Sequence, residues 1–412
     1  MGRRPLILNR QRLAICLAFL WLLSLAACAQ SAASMDLRAG QGRKETPAAV
    51  SPTEQPTEQP SDRTPTPTLT PFVPDPFTPT PTASPTAQPT PSPTPIPLAR
   101  FETDALHQGV LPVSYIQDEC LYLEARWNPD NAAPGTVVVP VMFHGISVAG
   151  PRGNDNITVS TAYFEASMRK ARQLGFETIS MQQLVDFLQH NAYIPPRSLL
   201  LIIDDRRLGT VREHFLPVLK KYDWTLTLAY ITGVINEQEW NQVRDVLARG
   251  HTEVQAHGYL HNGETYITEW TSEEIIRNEL FAPITAIKEH LGYRPIAFIW
   301  PGGNFNLLSV QIAREADYQV GFTVFARGPL LFNWIPQGEA EREIGDPLLT
   351  LPRYWSTTMF KNLDYAVEIG ASAAAQAEKQ RVDEINWYRS NCADYPPLSI
   401  PIQSKEEVPD RW

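Results

Sequence analysis

A distorted β/α barrel is the fold class this 412-residue sequence predicts, with a doubly wound open sheet as the alternative. Three observations carry the expectation. From about residue 135 onward, short apolar runs alternate with amphipathic segments. No hairpin signal joins one run to the next, which implies parallel strands wrapped by helices. The proline excess, 17 of the 37 prolines, is gathered in residues 47–97 and so lies apart from that alternating pattern.

The N-terminus predicts export. Arg3, Arg4, Arg10 and Arg12 precede a 14-residue apolar run, Leu13–Ala26, which is shorter than the ~20 residues a spanning helix needs. The run closes on Leu25-Ala26-Ala27-Cys28, which resembles a bacterial lipobox, so residues 1–27 are expected to be a signal peptide and Cys28 the lipidated mature terminus. Residues 28–100 hold Thr-Pro and Ser-Pro steps without an apolar period and are expected to be a disordered Pro/Thr-rich stalk. In polyproline II at ~3.1 Å per residue, the 51-residue proline-rich stretch within it would reach about 160 Å. The expected place of the protein is therefore the outer face of a bacterial cytoplasmic membrane or the cell surface, held there by lipid. With Cys16 in the signal and Cys28 acylated, Cys120 and Cys392 remain as one expected disulfide. A net charge of −10 argues against a nucleic-acid partner, and a monomer is expected.

Residues 101–136 read as a lead-in, 137–360 as the catalytic-type domain and 361–412 as an extension packing on it. Within the domain the expected strands are Val137–Phe143, Leu199–Ile203, Leu226–Ile231, Glu253–Ala256, Ile296–Trp300 and Val320–Val324. Expected helices are Thr161–Leu174, Met181–Leu188, Val211–Tyr222, Asn236–Ala248, Ser272–Leu291 and Leu307–Ala316. In the first of these, Phe164, Met168 and Ala171 recur at helical spacing, and Ser272 and Gly292 read as the cap and stop of the fifth.

The strand ends carry the polar residues: His144, then Asp204-Asp205, then His257, then Trp300-Pro301-Gly302. In parallel β/α folds those ends share one mouth, so residues far apart in sequence converge there. Neighbouring carboxylates on an extended chain point opposite ways, so Asp204 and Asp205 suit different tasks, one on a metal and the other on water. The plainer reading of the pair is a cap on a strand-to-helix turn. His257 and His261 lie four apart, so on one helical turn both imidazoles would face a single cation. Two histidines and a carboxylate leave positions open on that ion for water and substrate.

In these residues and their order, the chain from about Val139 to Arg353 resembles the polysaccharide deacetylase family (the NodB-homology group, carbohydrate esterase family 4). The family's T-F-D-D-G reads Ile202-Ile203-Asp204-Asp205-Arg206, its H-[S/T]-x-x-H reads His257 to His261 with Gly258 in the hydroxyl position, and its aromatic-Pro-x-Gly reads Trp300-Pro301-Gly302-Gly303. Val141-Met142-Phe143-His144 and Val320-Gly321-Phe322-Thr323-Val324 are further echoes. The resemblance implies a barrel of that type, a general base at Asp204, and a divalent ion, zinc first, on Asp205, His257 and His261. It implies an acetylated polysaccharide as substrate and hydrolysis of N-acetyl groups on hexosamines. An O-acetyl esterase or a catalytically silent glycan-binding module of the same fold are the alternatives.

The chain departs from the pattern at Ile202, where the family's first motif has threonine, and at two further places that bear on the chemistry. Arg206 stands where the family has glycine, and is expected either to pair with Asp204 or to contact substrate. The family's late Leu-x-His falls at Leu351-Pro352-Arg353, and no histidine follows His290. His144 is therefore the candidate general acid, while His290 is expected to be structural. Trp300, Pro301, Arg206 and Tyr259 are candidate substrate contacts, with Trp355 a further flat surface. Trp224, Trp240 and Trp270 are expected to be packing residues.

Overall fold

The computed structural model describes residues 100–398 apart from 153, 154, 156 and 264. The signal peptide, Cys28 and all of the expected stalk but Arg100 lie outside the described residues. No described helix is long and apolar enough to cross a membrane.

In chain order the elements are β1 (Leu111–Val113), α1 (Glu119–Trp127), β2 (Val137–Phe143), β3 (Gly145–Ser147), β4 (Thr158–Ser160), α2 (Thr161–Gln173), β5 (Glu177–Thr178), α3 (Met181–His190) and β6 (Arg197–Asp204). A short helical turn and a π-helical turn, Val211–Phe215, lead into α4 (Leu216–Tyr222), followed by β7 (Leu226–Tyr230), α5 (Glu237–Ala248), β8 (Thr252–Ala256), α6 (Glu273–Leu291) and β9 (Ala297–Ile299). The remainder is α7 (Leu307–Glu315), β10 (Val320–Phe322), β11 (Ile335–Gln337), α8 (Glu339–Ile344), β12 (Tyr354–Trp355) and α9 (Met359–Asn391).

Apart from α4, which continues from the π-helical turn without a side-chain cap, the helices from α2 to α7 start where a side chain takes up an orphan backbone N–H. Ser160 caps α2, Ser272 caps α6, and Ser180, Asn236 and Asn306 form capping boxes at α3, α5 and α7. Gly292 ends α6 in the left-handed conformation, φ +83°, where any Cβ would be strained.

The main sheet runs β10-β9-β8-β7-β6-β2-β12, every pairing parallel, with β5 added to β6. The curl is drawn together by the segment around β12, since Leu351 bridges to Phe322 and Tyr354–Trp355 pair with Val141–Met142. This is the barrel type expected, and not the open doubly wound sheet.

Period-two alternation then sorts the strand residues onto two faces. Val139, Val141, Phe143, Leu199, Leu201, Ile203, Leu228, Phe298 and Trp300 join the outer core beneath the helices. Val138, Leu200, Ile202, Ala229, Ile299, Val320, Phe322 and Leu351 form the inner core, onto which α3 packs Leu184, Phe187 and Leu188. Continuing the inner parity past each strand end leads to His144, Asp204, His257 and Arg353. The same parity sends Trp300 outward.

Behind the barrel, the lead-in and the chain's end form one clasp. Leu123 and Trp127 of α1 pack on Ala377, Ile385 and Tyr388 of α9. The buried Glu384 accepts from Trp127 Nε1 (2.7 Å) and pairs with Arg126. Cys120 and Cys392 are bridged across this clasp with their Cα atoms 5.6 Å apart.

Candidate metal centre and its surroundings

Asp204 ends β6 and is 2% exposed. Its Oδ1 accepts from Arg353 Nη1 at 2.7 Å, while Oδ2 lies 3.6 Å from His144 Nε2 and 3.9 Å from His257 Nε2. Burial alone would raise its pKa, but the Arg353 guanidinium and then the His257 and His144 rings outweigh it and hold the carboxyl down at about 2. Asp204 is therefore ionised wherever the protein is folded at neutral pH.

Asp205 has left the strand: its φ of +69° is unusual for an aspartate and turns its carboxylate toward the histidines. Oδ1 lies 3.8 Å from His257 Nε2 and 4.0 Å from His261 Nε2, and Oδ2 accepts from Arg207 Nη2 at 3.1 Å. Adjacent carboxylates thus acquire different surroundings, one buried against arginine and the other half-open beside two imidazoles.

His257 and His261 do not share a helical turn, contrary to the reading from their spacing. They sit on a loop after β8, with Gly258 at φ +75° and His261 at φ +48°, and the loop folds their rings to 4.5 Å between centroids. Nδ1 of His257 is 2.8 Å from the Ile299 carbonyl, which fixes the proton on that nitrogen and leaves the Nε2 lone pair toward Asp205. Burial drops the pKa of this ring to about 4, with Asp204 opposing, so the imidazole is neutral at neutral pH. Neutral imidazole and ionised carboxylate are the forms that bind a cation.

One ligand atom each from Asp205, His257 and His261 lie within 4.8 Å of one another. The donor set, the freed Nε2 and the spacing fit a divalent ion of zinc size, for which His–metal distances are about 2.0–2.1 Å. His144 closes the other side, stacked on Trp355 at 5.8 Å and 17°.

What holds the histidine loop was not read from the sequence. Glu279 on α6 is 1% exposed, and its carboxylate accepts from the backbone N–H groups of Tyr259 (2.8 Å), Leu260 (3.0 Å) and His261 (3.4 Å). The legible signal was an acid on the apolar face of a helix, among Ile276, Leu280 and Pro283. The same carboxylate explains Gly258: a Cβ there would meet Glu279 Oε2 at 2.7 Å and Pro301 Cγ at 3.0 Å. The family's serine or threonine would not fit. Removing the charge should loosen the loop, so Glu279→Gln is expected to weaken metal affinity by about tenfold or more, the scale on which residues that orient metal ligands act. Chelator competition on the folded variant measures this, and unchanged affinity would refute the role.

Several expectations are corrected. Arg206 does not pair with Asp204: its Nε donates to the Ile231 carbonyl at 2.9 Å and its Nη2 to that of Gly233, stapling the loop after β7. Arg353, where the family's late histidine was sought, takes the Asp204 partnership. Trp300 is 0% exposed and donates Nε1–H to the Leu349 carbonyl at 2.8 Å, so it offers no face to a substrate. Its outward parity is the reason. Pro301 is buried against the Gly258 turn, and Tyr259 lays its ring over Gly233 and is half-buried. His290 stacks on Trp240 away from these groups, as expected. Trp224 and Trp240 are packing residues, but Trp270 is 90% exposed and is not. The recesses lined by Pro134, Gly135 and Thr136 lie at the start of β2, at the far end of that strand from His144, and contain no histidine.

Residues 193–321 match the family model described as Polysaccharide deacetylase, a span that includes Asp204, Asp205, His257 and His261. Among solved structures, the Streptococcus pyogenes deacetylase PplD in complex with acetate is 22% identical, with 55% of this chain and 98% of that one covered at a TM-score of 0.45. IcaB from Ammonifex degensii is 21% identical over 59% of this chain and 99% of its own, TM-score 0.44. BC0361, a polysaccharide deacetylase from Bacillus cereus, is 19% identical over 56% and 69%, TM-score 0.44. No curated protein sequence matches the chain.

Proposed function

Because the chain belongs, through residues 193–321, to the polysaccharide deacetylase family, hydrolases of amide bonds in polysaccharides, we propose that it removes N-acetyl groups from a hexosamine-containing glycan with a divalent ion. The observation that supports this most is the convergence of Asp205, His257 and His261 beside an Asp204 already fixed by Arg353.

A bound divalent ion supplies positive charge that polarises water and the acyl oxygen. Zinc suits two imidazoles and a carboxylate. The chain's own residues do the rest. Asp204 has one oxygen committed to Arg353, which leaves Oδ2 turned to the site to accept the proton of the attacking water. His144 is the acid we assign, because its Nε2 stands 3.6 Å from that same Oδ2 and its ring is steadied on Trp355. It is placed to take the proton and pass it to the departing amine nitrogen. Both His144 and Arg353 lie outside the span matched by the family model, so their roles rest on this geometry.

The test is to offer N-acetylated and O-acetylated hexose polymers side by side and follow both acetate and newly formed amine. Amine appearing in step with acetate supports the proposal. Acetate from the O-acetylated polymer alone would make the protein an esterase, and binding without acetate would make it a silent glycan-binding module.

We further propose that the enzyme works at the outer face of the membrane, acylated at Cys28 and spaced by the proline-rich stalk, a reading supported by the Leu25-Ala26-Ala27-Cys28 junction. Cys28→Ser should move the protein from the detergent phase to the aqueous phase, and unchanged partitioning would refute the anchor.

A further inference from the structure

Trp270 is the only exposed tryptophan among the described residues, and its 90% exposure is not the result of a loose segment. The turn that carries it is tied at every step. Thr268 N–H donates to Thr271 Oγ1 at 2.8 Å, Trp270 N–H to Thr268 Oγ1 at 3.2 Å, and Thr271 Oγ1 to the Tyr266 carbonyl at 3.1 Å. Asn306, the cap of α7, reaches across to donate Nδ2–H to the Thr268 carbonyl at 2.8 Å. These four hydrogen bonds fix the backbone from which the indole projects, and pre-organisation of that kind lowers the cost of making a contact.

The turn is continuous with the metal centre. Its first residue, Tyr266, packs edge-on against the His261 ring at 5.3 Å and also borders Gly302, where a Cβ would stand 3.5 Å from the tyrosine ring. Since Thr271 is bonded to the Tyr266 carbonyl, the Trp270 Cα lies within about 9 Å of that carbonyl by chain geometry. Trp270 therefore stands one step outward from a side chain that touches a metal ligand.

The charge around it narrows the occupant. Glu269, its neighbour in the chain, and Glu274, four residues on in the first turn of α6, are both exposed. An acidic rim repels an anionic lipid surface and suits a neutral or amine-bearing sugar.

We propose that Trp270 is a sugar-stacking subsite, the platform for a pyranose ring of the glycan next to the residue being deacetylated. The proposal rests on the glycan deacetylase reading and adds the residue that would hold the ring beside the reacting one. Binding energy gathered on a neighbouring ring is the kind an enzyme uses to hold the reacting group in place, so shortened substrates should lose rate.

The experiment uses the full chain loaded with zinc, its Trp270→Ala and Trp270→Phe variants, and N-acetylglucosamine as monomer and as β-1,4- and β-1,6-linked pentamers. Calorimetry gives Kd, and acetate release gives kcat/KM with the pentamers and with 4-nitrophenyl acetate. Trp270→Ala is expected to weaken pentamer binding and lower pentamer kcat/KM by about tenfold or more, the range of a truncated aromatic anchor. Cleavage of the small ester should be unchanged, and Trp270→Phe should recover most of the pentamer loss. Wild-type levels of pentamer binding in Trp270→Ala would overturn the subsite, as would a wild-type protein that binds neither pentamer. So would a variant that keeps pentamer binding but no longer binds phosphatidylglycerol vesicles. If pentamer binding depends on Trp270 and yet no acetate is released, the subsite stands and the deacetylase reading falls.

Discussion

Asp204→Asn should lower turnover by about 10²–10⁴, the contribution of a positioned general base, while the zinc content of the protein stays the same. The separation follows from geometry. Asp204 is tied to Arg353 and faces His144 and His257, whereas the three candidate ligands are Asp205, His257 and His261. An isosteric amide keeps the Oδ1 acceptor for Arg353 and removes only the charge that takes the proton. Acetate release and metal content measured on one sample check both halves. Full turnover in Asp204→Asn would mean that the base lies elsewhere.

The second large effect is expected at Arg353. The pair it forms with Asp204 is buried, 0% and 2% exposed on the two side chains, so neither charge is screened by water. Arg353→Met should destabilise the fold by roughly 3–5 kcal/mol, because it leaves Asp204 buried without its guanidinium. It should also raise the Asp204 pKa, now about 2, since the largest stabilising cation is gone and burial acts unopposed by it. A carboxyl held below its unfolded value adds stability at pH above about 4 that is lost as pH falls through about 2. Without Arg353 that contribution shrinks, and the acid limb of the pH–rate profile moves to higher pH. The double variant Arg353→Met/Asp204→Asn should regain part of the stability, because the stranded charge is removed as well. A single variant as stable as the parent, with an unmoved acid limb, would show that the pair does neither job.

How much of this was legible beforehand differs from residue to residue. Strand ends were readable because buried parallel strands are continuous apolar runs, so Leu199–Ile203 pointed to Asp204 and Val137–Phe143 to His144. Trp300 misled for a related reason. It ends a strand as they do, but two-residue periodicity puts it on the outer face with Phe298, and parity becomes visible only once neighbouring strands are in register. The His257–His261 spacing suits a helical turn, and nothing local says that Gly258 and His261 adopt positive φ. That conformation is imposed by Glu279, 18 residues beyond His261 in the chain. The Asp204–Arg353 pair spans 149 residues and depends on β12 lying beside β2. Helix α9 went unread because its buried face mixes Met359, Leu363, Ile369 and Ile385 with the small Ala366, Gly370, Ala373 and Ala377 and the polar Asn362 and Glu384, which dilutes the apolar period. Trp270 was assigned to packing on residue type alone, and only its surroundings show that it is exposed.

The central claim is that glycan N-deacetylation runs at a divalent ion held by Asp205, His257 and His261. The most direct measurement is acetate release from an N-acetylglucosamine oligomer by protein stripped with a chelator and then titrated with zinc. The account predicts negligible release from the stripped protein and recovery that rises linearly to one equivalent of zinc and then stops. It also predicts that His257→Ala, one ligand short, neither binds the ion nor recovers. Undiminished acetate release from the stripped protein, or full recovery in His257→Ala, would contradict it.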